Sequence, residues 1–177
     1  MLSLEQQQLG LLGMLRDRPT ELPSDPWLRS VAKSDGLKMI HHIAGWWQRF
    51  QIEAQCRYTS RLMKRLGCFE QYVERHFNIH PTPPSIEELT SQFLSSVQQD
   101  DDPLLSAIAH FELTCLRLND EVSRTYTVIW DRDPSQVLLA LENSDALPDP
   151  EPNVRFLMNL SATLPGCVSC IREELGN

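Results

Sequence analysis

The chain has 177 residues, enough for one large domain or two small units sharing a core, and 41% of them are hydrophobic, too many for a disordered chain. A formal net charge of −8 argues against nucleic-acid binding, which relies on basic charge facing phosphate. No apolar run approaches the ~20 residues of a membrane span, Met1 to Gly13 lacks the basic start and apolar stretch of a signal peptide, and five scattered cysteines do not suit a disulfide framework. The expected setting is therefore the reducing cytoplasm, away from membranes.

The predicted elements begin with a helix capped by Ser3, whose Leu4, Leu11 and Leu15 share a face. Arg18 to Pro23 reads as a break. Asp25-Pro26 is a helix start, with Asp as N-cap and Pro at the first helical position. Helical pattern then runs to about Leu66, with an interruption near Asp35-Gly36 or Gly45, and Gly67 is the C-cap candidate. Within it, Ile52, Cys56, Thr59, Met63 and Leu66 form one stripe, while Arg57, Arg61, Lys64 and Arg65 lie opposite. One face packs; the other presents positive charge.

A short helix follows from about Phe69 to Phe77, closed by His80-Pro81, because a residue before proline avoids the α region. Ser85 and Glu88 form a capping box for a helix ending by Val97. Asp100 to Pro103 starts another, with acids favoured by the helix dipole. There Leu104, Ile108, Phe111, Cys115 and Leu118 make one stripe, and Leu105, Ala109, Leu113 and Leu116 a second, so this helix should be central.

After Asn119 the pattern changes. Thr125 to Trp130 is β-branched and aromatic, as strands are. Gln136 to Leu141, after Asp133-Pro134, is read as a helix. Val154 to Ser161 and Cys167 to Arg172 are read as strands joined by a turn at Leu164-Pro165-Gly166. The predicted fold class is α+β: a helical bundle over residues 1–119, then a small antiparallel sheet unit with one helix over 120–177. Charge divides along the chain as well. Trp27 to His80 carries nine Lys/Arg against four Asp/Glu, whereas Pro81 to Leu118 sums to −5 and Asn119 to Asn177 to −6. Such asymmetry suits a partner that sees one face, or simply solvated helix surface.

No catalytic motif emerges. Cys167 and Cys170 sit three apart in a probable strand, which points them to opposite faces, so they are read as packing residues rather than metal or redox ligands. His76 and His80 have i, i+4 spacing, but Pro81 ends the helix there, and a structural role is expected. His41 and His42 face different directions, and His110 stands beside the central stripe. Glycine-rich phosphate loops and GxSxG are absent. Trp46 and Trp47, beside the basic segment, are read either as core or as partner anchors, since Trp and Arg are typical interface hot spots.

Several strings carry a resemblance. Arg65 to Ser85, RLGCFEQYVERHFNIHPTPPS, resembles the putative-DNA-binding-domain family found beside multinuclear non-haem iron-dependent oxidases. There a His-Pro-x-x-x-Pro-Ser segment leads into a capped helix, which Ser85, Leu89, Phe93 and Leu94 fit. Ala107 to Leu113, AIAHFEL, is similar to that family's central helix. IWDRDPSQVLLAL and LPGCVSC are similar to the shorter partner proteins of the same oxidase class, those of the thiaglutamate pathway most of all. The resemblance implies a non-catalytic partner subunit, heterodimeric with the oxidase. It would bind a ribosomal precursor peptide through a small sheet resembling a precursor-recognition element, in service of peptidyl-cysteine modification. The iron would sit in the oxidase, with no cofactor and no metal site in this chain.

On that reading Arg57, Arg61, Lys64, Arg65, Trp46 and Trp47 contact the partner, because like charges on one face repel unless something compensates them. The peptide would add as a strand along Val154, Arg155, Phe156, Leu157, Met158 and Asn159, with Val154, Phe156, Met158 and Leu160 turned to the core. Two alternatives stay open: a transcription-linked DNA-binding protein, suggested by the basic stripe, and a free-standing enzyme using Cys167 and Cys170.

Overall fold

A computed structural model describes residues 2–16, 24–80, 83, 85–118 and 123–176. The expected break at Arg18 to Pro23 and the boundary at Asn119 fall largely outside them. The class is α+β: helices first, then a three-stranded antiparallel sheet. In chain order the helices are α1 (Leu4–Arg16), α2 (Pro26–Ala32), α3 (Asp35–Gln55), α4 (Arg57–Arg65), α5 (Phe69–Ile79), α6 (Ile86–Val97) and α7 (Pro103–Leu118). Strand β1 (Tyr126–Trp130), helix α8 (Pro134–Asn143), strand β2 (Val154–Leu160) and strand β3 (Val168–Glu174) complete the chain.

Local polar chemistry sets most of the boundaries. Ser3 and Gln6 cap α1 reciprocally, each accepting the other's backbone N–H. Asp25 accepts from the amides of Trp27 and Leu28, Ser85 from Glu88, Asp102 from Leu104 and Leu105, and Asp133 from Ser135 and Gln136. Past α4, Gly67 takes φ +70°, and its N–H reaches the carbonyl of Lys64 while that of Cys68 reaches Met63. This is a Schellman termination, for which glycine is the favoured residue.

The long helix expected up to Leu66 is interrupted at Ser34, beside Asp35-Gly36 as expected, and is divided again at Cys56, which was not expected. Gly45 runs through α3 without interruption. The helical and sheet units share one core, as the chain's length allowed. One cluster unites Ile52, Leu62 and Met63, the faces of α6 and α7, and Val128, Trp130, Val137, Leu141 and Phe156. Helix α7 lies at its centre, as its two apolar faces require: Leu104, Leu105, Ile108, Ala109 and Leu113 are all buried. A second, small cluster of Met14, Leu28 and Leu37 ties α1 and α2 to the start of α3. Nε2 of His41 lies 2.6 Å from the Met14 carbonyl and joins α3 to α1.

Candidate functional site

Strand order in the sheet is β1-β2-β3, so β2 is paired on both sides. Tyr126 opposes Leu160 on one side of it, and Val168 opposes Leu160 on the other. The alternation expected for this strand is present: Phe156, Met158 and Leu160 are buried. The placement of the peptide along Val154, Arg155, Phe156, Leu157, Met158 and Asn159 is nevertheless corrected, because both backbone edges of β2 are occupied by neighbouring strands.

The sheet has two edge strands, β1 and β3, and the longer and more exposed of them is β3. The Leu175 N–H donates to the Asn153 carbonyl at 2.8 Å and the Ser161 N–H to the Cys167 carbonyl at 3.0 Å. In an antiparallel ladder these define the hydrogen-bonded pairs as the odd-numbered ones. The N–H and C=O groups of Val168, Cys170, Arg172 and Glu174 therefore point away from β2, to the open side. Side chains along β3 are exposed or half-buried on both faces. On the solvent face Ile129, Leu157 and Ile171 form an apolar row across all three strands, beside the Arg155–Glu173 ion pair at 2.6 Å. On the helix-side face lie Val168, Cys170 and Arg172, the last held by Glu151 at 3.0 Å. A strand added here would find apolar and ionic neighbours on either side.

The basic residues of α4 have partners within the chain, so their like charges are compensated without another protein. Helix α8 crosses α4, and its C-terminal carbonyls need donors, because the last turn of a helix has none of its own. Arg61 donates to the carbonyls of Leu141 at 3.2 Å and Glu142 at 3.4 Å. Arg65 donates to those of Ala140 and Asp145, each at 2.6 Å. Arg57 pairs with the Glu142 carboxylate, and Lys64 with Glu53. Cations at a helix C-terminus also meet the negative end of its dipole. Replacing Arg61 by Ala should lower stability by about 1 kcal/mol, read as a shift in urea midpoint at constant slope.

A residue outside the predicted set holds the other end of α4. Glu112, buried on α7, accepts the N–H of Tyr58 at 2.8 Å and that of Thr59 at 3.0 Å. Burial pushes its carboxyl above the ordinary range, while hydrogen bonds from Thr59 and Tyr58 and the nearby Arg57 pull it back. The only sequence signal was a lone acid inside the apolar AIAHFEL string.

Trp46 and Trp47 lie on the surface, 56% and 50% exposed, so the core alternative for them fails. They stack with Phe50 at centroid distances of 5.7 and 5.4 Å. Below this face a cleft of about 270 Å³ runs between α3 and α4, lined by Phe50, Ala54, Arg57 and Lys64 among others. Cys167 adopts φ +62° in the turn before β3, and both it and Cys170 are exposed. No group of three or more His, Cys, Asp or Glu positioned to hold a metal exists among the described residues, and none of their helices is long and apolar enough to cross a membrane. Compared with family models, curated proteins and solved structures, the chain matches none.

Proposed function

We propose that this chain is a non-catalytic partner subunit that takes up a ribosomal precursor peptide as a fourth strand on β3 and presents it to an iron-dependent, peptide-modifying oxidase. The observation that carries the peptide-binding part is the open edge of β3, seven residues long and exposed on both faces. In strand addition the main chain supplies affinity and neighbouring side chains supply specificity. β3 offers four outward-facing residues for the first and the Ile171 row with Arg172 for the second. The oxidase part rests on the string resemblances at 65–85, 107–113 and in IWDRDPSQVLLAL and LPGCVSC. The iron and the chemistry at a peptidyl cysteine belong to the oxidase, and the two proteins form a heterodimeric unit. The basic stripe that suggested DNA is engaged with α8 and Glu53, which removes the observation favouring that alternative.

Proline distinguishes this mode from side-chain docking. Cys170→Pro removes an N–H that faces the open edge and leaves the β2 ladder intact, a position at which a sheet tolerates proline. The probe is any short peptide encoded beside this chain's own gene, tested as the candidate precursor. Its affinity should fall about tenfold or more in this variant, for the loss of one strand-addition hydrogen bond and the strain beside it. Hydrogen exchange of the wild-type chain with that peptide should show new protection over Val168 to Glu174. Protection confined to α1–α7, or undiminished binding by Cys170→Pro, would refute the reading.

A further inference from the structure

Helix α3 has 21 residues and buries only Leu37 near one end and Ile52 near the other. Between these anchors the side turned to the protein carries His41, Gly45 and Gln48, all partly exposed. The opposite side carries Met39, Ile40, Ile43, Trp46, Trp47 and Phe50, and every one is exposed. The amphipathic pattern is thus reversed, with its apolar face to solvent. The spacing of Met39, Ile43, Trp46 and Phe50 is 4, 3 and 4, the seam of a two-helix coiled coil. With about 150–250 Å² for each aromatic side chain, the exposed fractions sum to roughly 700 Å², above the roughly 300–600 Å² of the largest patch on an ordinary monomer.

We infer that this face joins a second copy of the same chain, α3 packing antiparallel on α3 about a twofold axis near Ala44-Gly45. Three features select a copy over another occupant. The first is size. The N-terminal half of the seam is aliphatic (Met39, Ile40, Ile43) and the C-terminal half aromatic (Trp46, Trp47, Phe50). Antiparallel self-pairing sets Met39 against the partner's Phe50 and Ile43 against the partner's Trp46, so along the seam Trp46 and Phe50 each meet an aliphatic chain and the layers keep an even volume. The second is charge. The ionised side chains of α3 are Asp35, Lys38, Arg49 and Glu53, which sum to zero. Each is already paired in the chain: Asp35 with Lys38, Arg49 with Glu70, and Glu53 with Lys64. A neutral rim neither repels a copy nor draws a charged partner. The third is area. Twice the face buries about 1,400 Å², inside the range of about 1,200–2,000 Å² that stable interfaces occupy. The isologous geometry closes the assembly at two. None of this depends on the proposed function, and β3 lies outside the interface, so an oxidase–partner unit would double to a 2:2 complex.

Sedimentation equilibrium of the pure full chain tests it. The expected mass is twice 20.3 kDa at about 100 μM protein. Ile43→Glu, on the exposed seam, should give a monomer with an unchanged unfolding curve and a dimer dissociation constant raised about 100-fold or more, because the carboxylate would be buried unpaired. Phe50→Ser should act the same way without adding charge. Raising salt should strengthen the wild-type dimer, since two chains of net charge −8 repel each other. A wild-type chain that stays monomeric at that concentration overturns the inference and leaves the face to a different protein. A dimer indifferent to both substitutions overturns it as well.

Discussion

Glu112→Ala should destabilise the fold by roughly 3 kcal/mol, from the loss of a helix cap and the stranding of one buried and one part-buried amide. The chain leaves helical geometry at Cys56, with φ −98° and ψ 61°. Helix α4 then starts anew, with the Thr59 amide buried and that of Tyr58 partly buried. Cys56 supplies no side-chain cap: its thiol is buried and unionised, pushed up chiefly by desolvation. The acceptor comes instead from Glu112, whose two oxygens take one amide each. A carboxylate at that point also meets the positive end of the helix dipole. Alanine removes both acceptors and leaves a void beside α7. Glu112→Gln keeps one acceptor oxygen but turns a donor toward the other amide, so it should recover part of the loss and no more. Urea unfolding of the three proteins measures this. A Glu112→Ala change within about 1 kcal/mol of wild type would show that the cap does not hold the α3–α4 corner.

The same residue marks how far this fold is legible in sequence. Caps that act within a few residues are readable, and Asp25-Pro26, Ser85 with Glu88, Asp102-Pro103 and Asp133-Pro134 all begin helices where their side chains accept N–H groups. The break at Cys56 is not readable, because the acceptor that stabilises it lies 53 or 54 residues away. Periodicity told that Arg57, Arg61, Lys64 and Arg65 face away from the core stripe. It could not tell that α8 lies in that direction, since a wheel ranks directions and contains no neighbours. The strands and the β2–β3 turn were legible from β-branched runs and Leu164-Pro165-Gly166. Strand order was not: β1 could pair with either later strand, and its choice of β2 placed β2 in the middle and left β1 and β3 as the edges. The change in pattern at Asn119 marks a change of element type and not of cluster, since the two units share one core. For Trp46 and Trp47 the sequence allowed two environments, and only the packing of α3 by its two ends selects the exposed one.

Acidification should destabilise the fold by up to about 3 kcal/mol between neutral pH and pH 4, through His76. This side chain is only 4% exposed, and neither ring nitrogen has a hydrogen-bond partner among the described residues. It packs edge-on against Phe77 and Phe93, at centroid distances of 5.4 and 5.5 Å, and 4.9 Å from the ring of His80. Burial, and then the charge of His80, lowers its pKa to about 4 from an ordinary 6.5. Over that interval the unfolded chain binds a proton that the folded chain does not. The contribution of His76 is therefore fully present above the unfolded value, and is lost as pH falls toward the folded one. Glu112 works in the opposite sense, since burial raises its carboxyl and the folded state takes up that proton first. A variant separates the two. His76→Leu matches the volume, discards two unpartnered nitrogens, and should be as stable as wild type or more so at pH 7. Its stability should change far less between pH 6.5 and 4 than that of wild type. Parallel pH curves for the two proteins would remove His76 as the acid-sensitive group.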